Sequence, residues 1–137
     1  VIRYINVHKA FDIPVLSGVD MTVETGEMFA LFGPSGTGKS VLLKTTMGLI
    51  VPDRGDVEVD GISVYHGPSD ALEQIRRKVG YVFQHAALFD SLNVLDNVAM
   101  GLPEDELARM SRVETARKVW EALEIVNLEP REILGKL

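Results

Sequence analysis

The sequence predicts an α/β fold that gives way to the beginning of a helical part, and three observations carry that expectation. The apolar run Met28, Phe29, Ala30, Leu31, Phe32 precedes a glycine-rich stretch, residues 33–40, and an amphipathic helical pattern follows it. Strand-like and helix-like segments alternate up to about residue 90, and beyond Asp90 the texture is mostly helical. The chain has 137 residues, 46% hydrophobic and 25% charged. Those proportions suit one folded domain and exclude a disordered, collagenous or low-complexity chain.

The elements follow in order. Residues 1–7 carry Ile2, Tyr4, Ile5 and Val7 in strand-like company, and in residues 19–23 Val19, Met21 and Val23 alternate against Asp20 and Thr22. Thr25, Gly26 and Glu27 form a turn. Residues 28–32 are apolar at every position, as expected of a strand covered on both faces. After the glycine-rich stretch, Leu42, Leu43, Thr46, Met47 and Ile50 recur at helical spacing until Pro52. Residues 56–61 alternate and close on Asp60-Gly61, a hairpin signal. Residues 71–78 suit a short helix packed through Leu72 and Ile75, and residues 79–83 another short strand. Residues 92–102 are short and mixed, and Pro103 opens a polar helical region. Ser111 and Glu114 have capping-box spacing, after which Ala116, Val119, Trp120, Leu123 and Val126 share one helix face.

Charge and composition narrow the function. Fourteen Lys and Arg against twenty Asp and Glu leave a net charge of −6, so there is no general basic footprint for nucleic acid or anionic lipid. Any bound anion needs a local site. The absence of cysteine excludes disulfides, thiol nucleophiles and thiolate metal sites, and is compatible with a reducing cytoplasm. His8, His66 and His85 are scattered without ligand spacing, so no protein metal site is expected. No run approaches the ~18 apolar residues of a membrane span. No signal peptide is visible, and the chain opens on Val1, which suggests a trimmed start.

The local anion site is Gly33, Pro34, Ser35, Gly36, Thr37, Gly38, Lys39 and Ser40, which satisfies G-x-x-x-x-G-K-[ST] in a strand–loop–helix context. The glycines allow positive φ and a close backbone approach to phosphate. Successive N–H groups then form an anion-binding nest, and the following helix adds its free N-terminal N–H groups and positive dipole end. Lys39 should reach the β- and γ-phosphates of a nucleotide, and the Ser40 hydroxyl should coordinate Mg²⁺. The four fixed positions arise by chance in a chain of this length on the order of half a per cent of the time. No Asn/Thr-Lys-x-Asp guanine-reading segment is present, which disfavours a GTPase.

The rest of the chain resembles the amino-terminal half of an ABC transporter ATPase subunit. The resemblance is carried by Val15, Leu16, Ser17, Gly18 and Val19 before Gly26-Glu27, by the phosphate loop, and by Gly48-Leu49, Pro52-Asp53 and Gly55. The run Arg76, Arg77, Lys78, Val79, Gly80, Tyr81, Val82, Phe83, Gln84 completes it. It implies a P-loop NTPase fold, a RecA-like core with an antiparallel β subdomain, in which residues 1–95 are a partial ATP-binding core and residues 96–137 begin a helical subdomain. It also implies ATP and Mg²⁺ as ligands, with Gln84 as the Q-loop glutamine. A neutral amide there can touch the metal ion or the attacking water without adding charge. By the same resemblance Phe11 is the adenine-stacking aromatic, an interaction worth ~1–3 kcal/mol per base, with Tyr4 as its rival. Val41 stands where most members carry Thr, so that a hydroxyl contact to the α-phosphate is replaced by the backbone N–H alone.

Val41 and the stretch from Phe83 through Gln84, His85, Ala86, Ala87, Leu88 and Phe89 to Asp96, Asn97 and Val98 look like the ATPases of Mla-type, Mce-linked lipid transporters. That likeness implies phospholipid as cargo. The region after Gln84 would receive a membrane permease, although interior packing suits the same apolar residues. A second ATPase subunit would complete a dimer, in the cytoplasm and peripheral to the inner membrane through the permease. The signature motif, the second strand's aspartate, its neighbouring glutamate and the switch histidine are not found. The chain is therefore expected to be a fragment lacking the C-terminal half, and inactive alone. A P-loop kinase or other NTPase, and a non-catalytic nucleotide-binding module, stand as alternatives.

Overall fold

The computed structural model describes residues 1–84 and 87–134. Two compact units make up the chain, Val1–Tyr81 and Val82–Leu137. This division falls earlier in the sequence than the subdomain boundary expected after residue 95.

The first unit is built on a four-stranded antiparallel sheet of order β2-β1-β3-β4, made by β1 (Ile2–Ala10), β2 (Pro14–Val23), β3 (Arg54–Val59) and β4 (Ile62–Ser63). The two strands expected near the N-terminus both form, and both are longer than their alternation suggested. They meet across a hairpin of Phe11, Asp12 and Ile13. β1 is central and buries both Tyr4 and Val7, a spacing that a regular strand of period two forbids. A bulge resolves the conflict. The register against β2 shifts between Tyr4 and Val7, Asn6 takes φ 47°, and its N–H donates to Asp20 Oδ1 at 2.8 Å. β3 passes the same bulge so closely that a Cβ on Gly55, at φ 85°, would lie 2.2 Å from the Asn6 carbonyl oxygen. Only glycine meets both the conformation and the lack of room.

The Asp60-Gly61 signal is realised as the β3–β4 turn, with φ of 50° and 77°. Two successive positive φ angles make the turn whose twist matches the flanking strands. Helices α1 (Lys39–Thr46) and α2 (Ala71–Lys78) cover the sheet. Leu42 and Ile75 join Tyr4, Val7, Leu16, Val57, Val59 and Val64 in one core. α2 has the bounds its pattern predicted. α1 stops well before Pro52, because Gly48 at φ 63° closes it. The Gly48 N–H donates to the Thr45 carbonyl and the Leu49 N–H to the Lys44 carbonyl, at 3.1 and 3.0 Å, the paired bonds of a Schellman ending.

Two expected strands do not form. Residues 28–32 make no ladder, and Met28 and Phe32 are 98% and 92% exposed. Residues 79–83 are likewise without strand structure, with Val82 exposed. Apolar character supplies a reason to be buried but not a ladder, and among the described residues neither segment forms one.

In the second unit, α3 (Val94–Ala99), α4 (Glu104–Arg109), α5 (Arg112–Ile125) and α6 (Pro130–Leu134) gather around Ala99, Val119 and Leu123. α3 lies within the stretch read as mixed. Its sequence signal is Asn93, whose side chain accepts from the Asp96 N–H at 2.8 Å. The capping box before α5 is present: the Glu114 N–H donates to Ser111 Oγ and the Ser111 N–H to Glu114 Oε2. The hydroxyl and N–H of Ser111 hold the Glu114 carboxyl below its ordinary pKa. Ser111→Ala is expected to cost about 1 kcal/mol, read as a lower denaturant midpoint. The face that α5 buries runs through Thr115, Val119 and Leu123, whereas Val126 is exposed because the helix ends before it.

Asn97 organises the approach to α3. Its amide nitrogen donates to the carbonyls of Phe89, Leu92 and Asn93 at 2.9–3.1 Å, and its oxygen accepts from the Phe89 N–H at 2.7 Å. Asn97→Ala should remove the side-chain partner of the Phe89 N–H and the Leu92 carbonyl, both within reach of water, and cost about 0.5–1.5 kcal/mol. Faster amide exchange confined to residues 89–93 is the measurement that checks it.

Candidate nucleotide phosphate site

The phosphate loop connects the unpaired segment 28–32 to α1, and it is curled rather than extended. Gly33, Gly36 and Gly38 have φ of 156°, 81° and 89°, the last two in the left-handed region that favours glycine. Lys39 closes the curl. Its ammonium donates to the carbonyls of Gly33 and Pro34 at 2.7 and 2.6 Å, and lies 3.4 Å from Thr37 Oγ1. The Thr37 hydroxyl in turn donates to the Pro34 carbonyl at 3.0 Å. An ammonium has three N–H donors, so the long third contact is the one an arriving phosphate oxygen would replace.

Gly38 is the N-cap of α1 and is buried, although the rest of the loop is largely exposed. No side chain caps the helix. The N–H groups of Lys39, Ser40 and Val41 precede the first intrahelical donor, that of Leu42, which bonds to the Gly38 carbonyl at 2.8 Å. Those three groups and the positive end of the helix dipole form an anion receptor. Ser35 and Ser40 are exposed, and among the described residues the Ser40 hydroxyl has no protein partner. Val41 packs its side chain against the core, leaving only its N–H for a phosphate. Among the described residues no cluster of three or more His, Asp or Glu could hold a metal. A Mg²⁺ ion fits this donor set only as the companion of bound phosphate, with the Ser40 hydroxyl as a protein ligand.

The opposite end of α1 is fastened to the rest of the unit. Tyr65 shares its hydroxyl hydrogen between the carbonyls of Thr45 and Ile50, and desolvation by burial raises its pKa. Arg76 donates through Nε and Nη2 to the Met47 carbonyl at 3.2 and 3.1 Å, placing a cation at the negative helix end. Tyr4 and Thr46 hydroxyls meet at 2.6 Å. Sequence reasoning missed Tyr65 and, although it named Arg76, missed that side chain's bonds to the helix end, because bonds to main-chain carbonyls leave no spacing pattern.

Phe11 sits at the β1–β2 hairpin and is 60% exposed, with the Lys9 ammonium 5.5 Å from its ring centre. The same hairpin leads within a few residues to Val15 and Leu16, against which Gly38 is packed. Phe11 and the phosphate loop thus belong to one end of the unit. Tyr4, the rival stacking residue, is buried among core side chains and bonded to Thr46, so its ring has no face to offer a base. Gln84 is exposed and lies in the second unit. His85 and Ala86 lie outside the described residues. Ala87, Leu88 and Phe89 are exposed, which corrects the interior-packing reading for these three.

Comparison with known proteins agrees with this geometry. Residues 16–136 match the family model described as ABC transporter. The chain is 44% identical over 126 residues to the sulfate/thiosulfate import ATP-binding protein CysA of Rhodopseudomonas palustris, covering 90% of this chain and 34% of that protein. It is 39% identical over 132 residues to the methionine import ATP-binding protein MetN of Thermobifida fusca, covering 93% and 40%. A dimeric, post-hydrolysis structure of the ATP-binding cassette MJ0796 bound to ADP and Pi superposes with a TM-score of 0.83 at 33% identity, over 97% of this chain and 60% of that one. The chain spans a little over a third of the length of these curated relatives, and neither is named for lipid transport.

Proposed function

Because the chain belongs to the ABC transporter ATP-binding family and has its P-loop cassette fold, we propose that it is the phosphate-binding part of a transport ATPase subunit. In this reading it binds Mg·ATP, and the full-length dimer hydrolyses it to drive transport through a membrane permease. The observation that carries the proposal is the Lys39 ammonium, held by the carbonyls of Gly33 and Pro34 beside the uncapped N-terminus of α1. Backbone N–H groups of the loop bind the phosphate tail, and Lys39 neutralises the β- and γ-phosphate oxygens. Mg²⁺, when bound with the nucleotide, would neutralise the remaining phosphate charge, with Ser40 as a protein ligand; Gln84 keeps the Q-loop role that the family resemblance implies. Phe11 stacks the adenine.

The family's partners belong to the same proposal: a second ATPase subunit, and a permease received by the region after Gln84, where Ala87, Leu88 and Phe89 are exposed. No helix among the described residues is long and apolar enough to cross a membrane. The family's role implies a subunit in the cytoplasm at the inner face of the membrane, peripheral through the permease. The subunit's remaining length would supply the neighbours that residues 28–32 lack. Family membership sets aside the soluble kinase reading.

The finer reading of the cargo, phospholipid, rests on Val41 and the pattern from Phe83 to Val98 alone. The relatives described above are named for sulfate/thiosulfate and for methionine import. The deciding experiment expresses the full-length subunit with its co-purifying permease and measures ATP turnover against each cargo in turn. Stimulation by phospholipid vesicles supports the lipid branch, and stimulation by sulfate or methionine replaces it. The 137-residue chain alone is expected to bind Mg·ATP weakly and not to turn it over. Turnover by that chain, abolished by Lys39→Ala, would refute the division of labour. Binding without turnover even in the assembled transporter would favour a non-catalytic module.

A further inference from the structure

The exposed ring of Phe11 is not a free rotor. Lys9, two residues earlier on β1, sends its ammonium to 5.5 Å from the ring centre and in the same position pairs with Asp53 Oδ1 at 2.8 Å. Asp53 does more than neutralise that charge. Its second oxygen accepts the Ala10 N–H at 2.7 Å, and its own N–H donates to the His8 carbonyl at 2.8 Å. Three bonds therefore tie the loop after α1 to the last three residues of β1, immediately before Phe11. The Lys9 side chain is 17% exposed, so the ammonium is confined between the carboxylate and the aromatic face.

We propose that Lys9 and Asp53 form a specificity device for the base: Asp53 fixes the Lys9 ammonium over one face of Phe11, which leaves the other face as a preset platform for a flat heterocycle. This rests on the reading of Phe11 as the base-stacking residue. The physical grounds are threefold. A cation over one face restrains a ring that otherwise loses rotamer freedom when a ligand arrives. It also blocks that face, so stacking is one-sided. Because its charge is already paired, Lys9 is not a second phosphate ligand, and its contribution falls on the base rather than on the triphosphate. Lys9 and Asp53 are positioning residues; Phe11 is the one that touches the ligand.

The test compares two probes on the full chain by calorimetry, Mg·ATP and inorganic tripolyphosphate, the second lacking any base. Lys9→Met and Asp53→Asn are each expected to weaken Mg·ATP about three- to tenfold and to leave tripolyphosphate unchanged. Lys9→Arg, which keeps a cation over the ring, should restore the Mg·ATP value. Unchanged tripolyphosphate binding also shows that the variants are folded. If Phe11→Ala lowers the ratio of the two affinities while Lys9→Met and Asp53→Asn do not, the device is refuted and the stacking reading survives. Equal loss for both probes would refute it too, by making the pair a phosphate-site or folding element. If Phe11→Ala leaves the ratio unchanged, the stacking reading falls and the device with it.

Discussion

Lys39→Ala is expected to abolish most of the Mg·ATP affinity while leaving the protein folded. The ammonium makes at least two short hydrogen bonds inside the loop, and each hydrogen bond to a charged group contributes about 1.5–3 kcal/mol. Those two bonds aim the ammonium, and loss of the one interaction its remaining N–H makes with phosphate corresponds to about 1.5–3 kcal/mol, or roughly 10–10² in the dissociation constant. The substitution does a second kind of damage. Without the ammonium, the carbonyls of Gly33 and Pro34 present bare oxygen to an incoming anion, and repulsion replaces attraction. The net charge of −6 does not cancel this argument, since charges beyond ~8–10 Å are largely screened. The fold should survive, because the Lys39 ammonium bonds only to groups of its own exposed loop. Calorimetric titration gives the affinity and a thermal melt the stability. An unchanged dissociation constant would remove the phosphate site from the proposal.

The parts of this molecule that could be read in advance are those whose cause is local. The phosphate loop, the Asp60-Gly61 turn, α2 and the capping box at Ser111 each depend on a few neighbouring residues. Glycine conformations, side-chain caps and helical spacing decide such features without reference to distant chain. Residues 28–32 show the opposite case. Their apolar run is a strand signal, but a ladder requires a partner, and Met28 and Phe32 remain exposed without one. The bulge at Asn6 was illegible for a related reason. Burying both Tyr4 and Val7 is a demand of the core, and it is met through Asp20 and Gly55, which are distant in sequence. Phe11 and Lys39 could each be named as candidates from the sequence, yet the Asp53 tether could not. It acts through one ion pair and two main-chain hydrogen bonds.

Gly38→Ala and Gly36→Ala together separate backbone strain from packing in the same loop. Both glycines have left-handed φ, 89° and 81°, so alanine at either pays about 1–2 kcal/mol for that conformation. Their surroundings differ. A Cβ at Gly36 would meet nothing within 4 Å, whereas at Gly38 it would lie 2.9 Å from both Val15 Cγ1 and the Val15 carbonyl oxygen. That backbone oxygen belongs to β2 and cannot swing aside as a side chain can. Relief requires moving the start of α1, which adds about 1–3 kcal/mol of overpacking. Gly38→Ala should therefore destabilise by about 2–5 kcal/mol and displace the N–H groups proposed to receive phosphate, lowering stability and affinity together. Gly36→Ala should melt only slightly earlier, and any loss of Mg·ATP binding there reports a methyl group intruding on space the phosphate needs. Equal shifts in the denaturation midpoints of the two variants would show that the contact with Val15 is not what seats the helix.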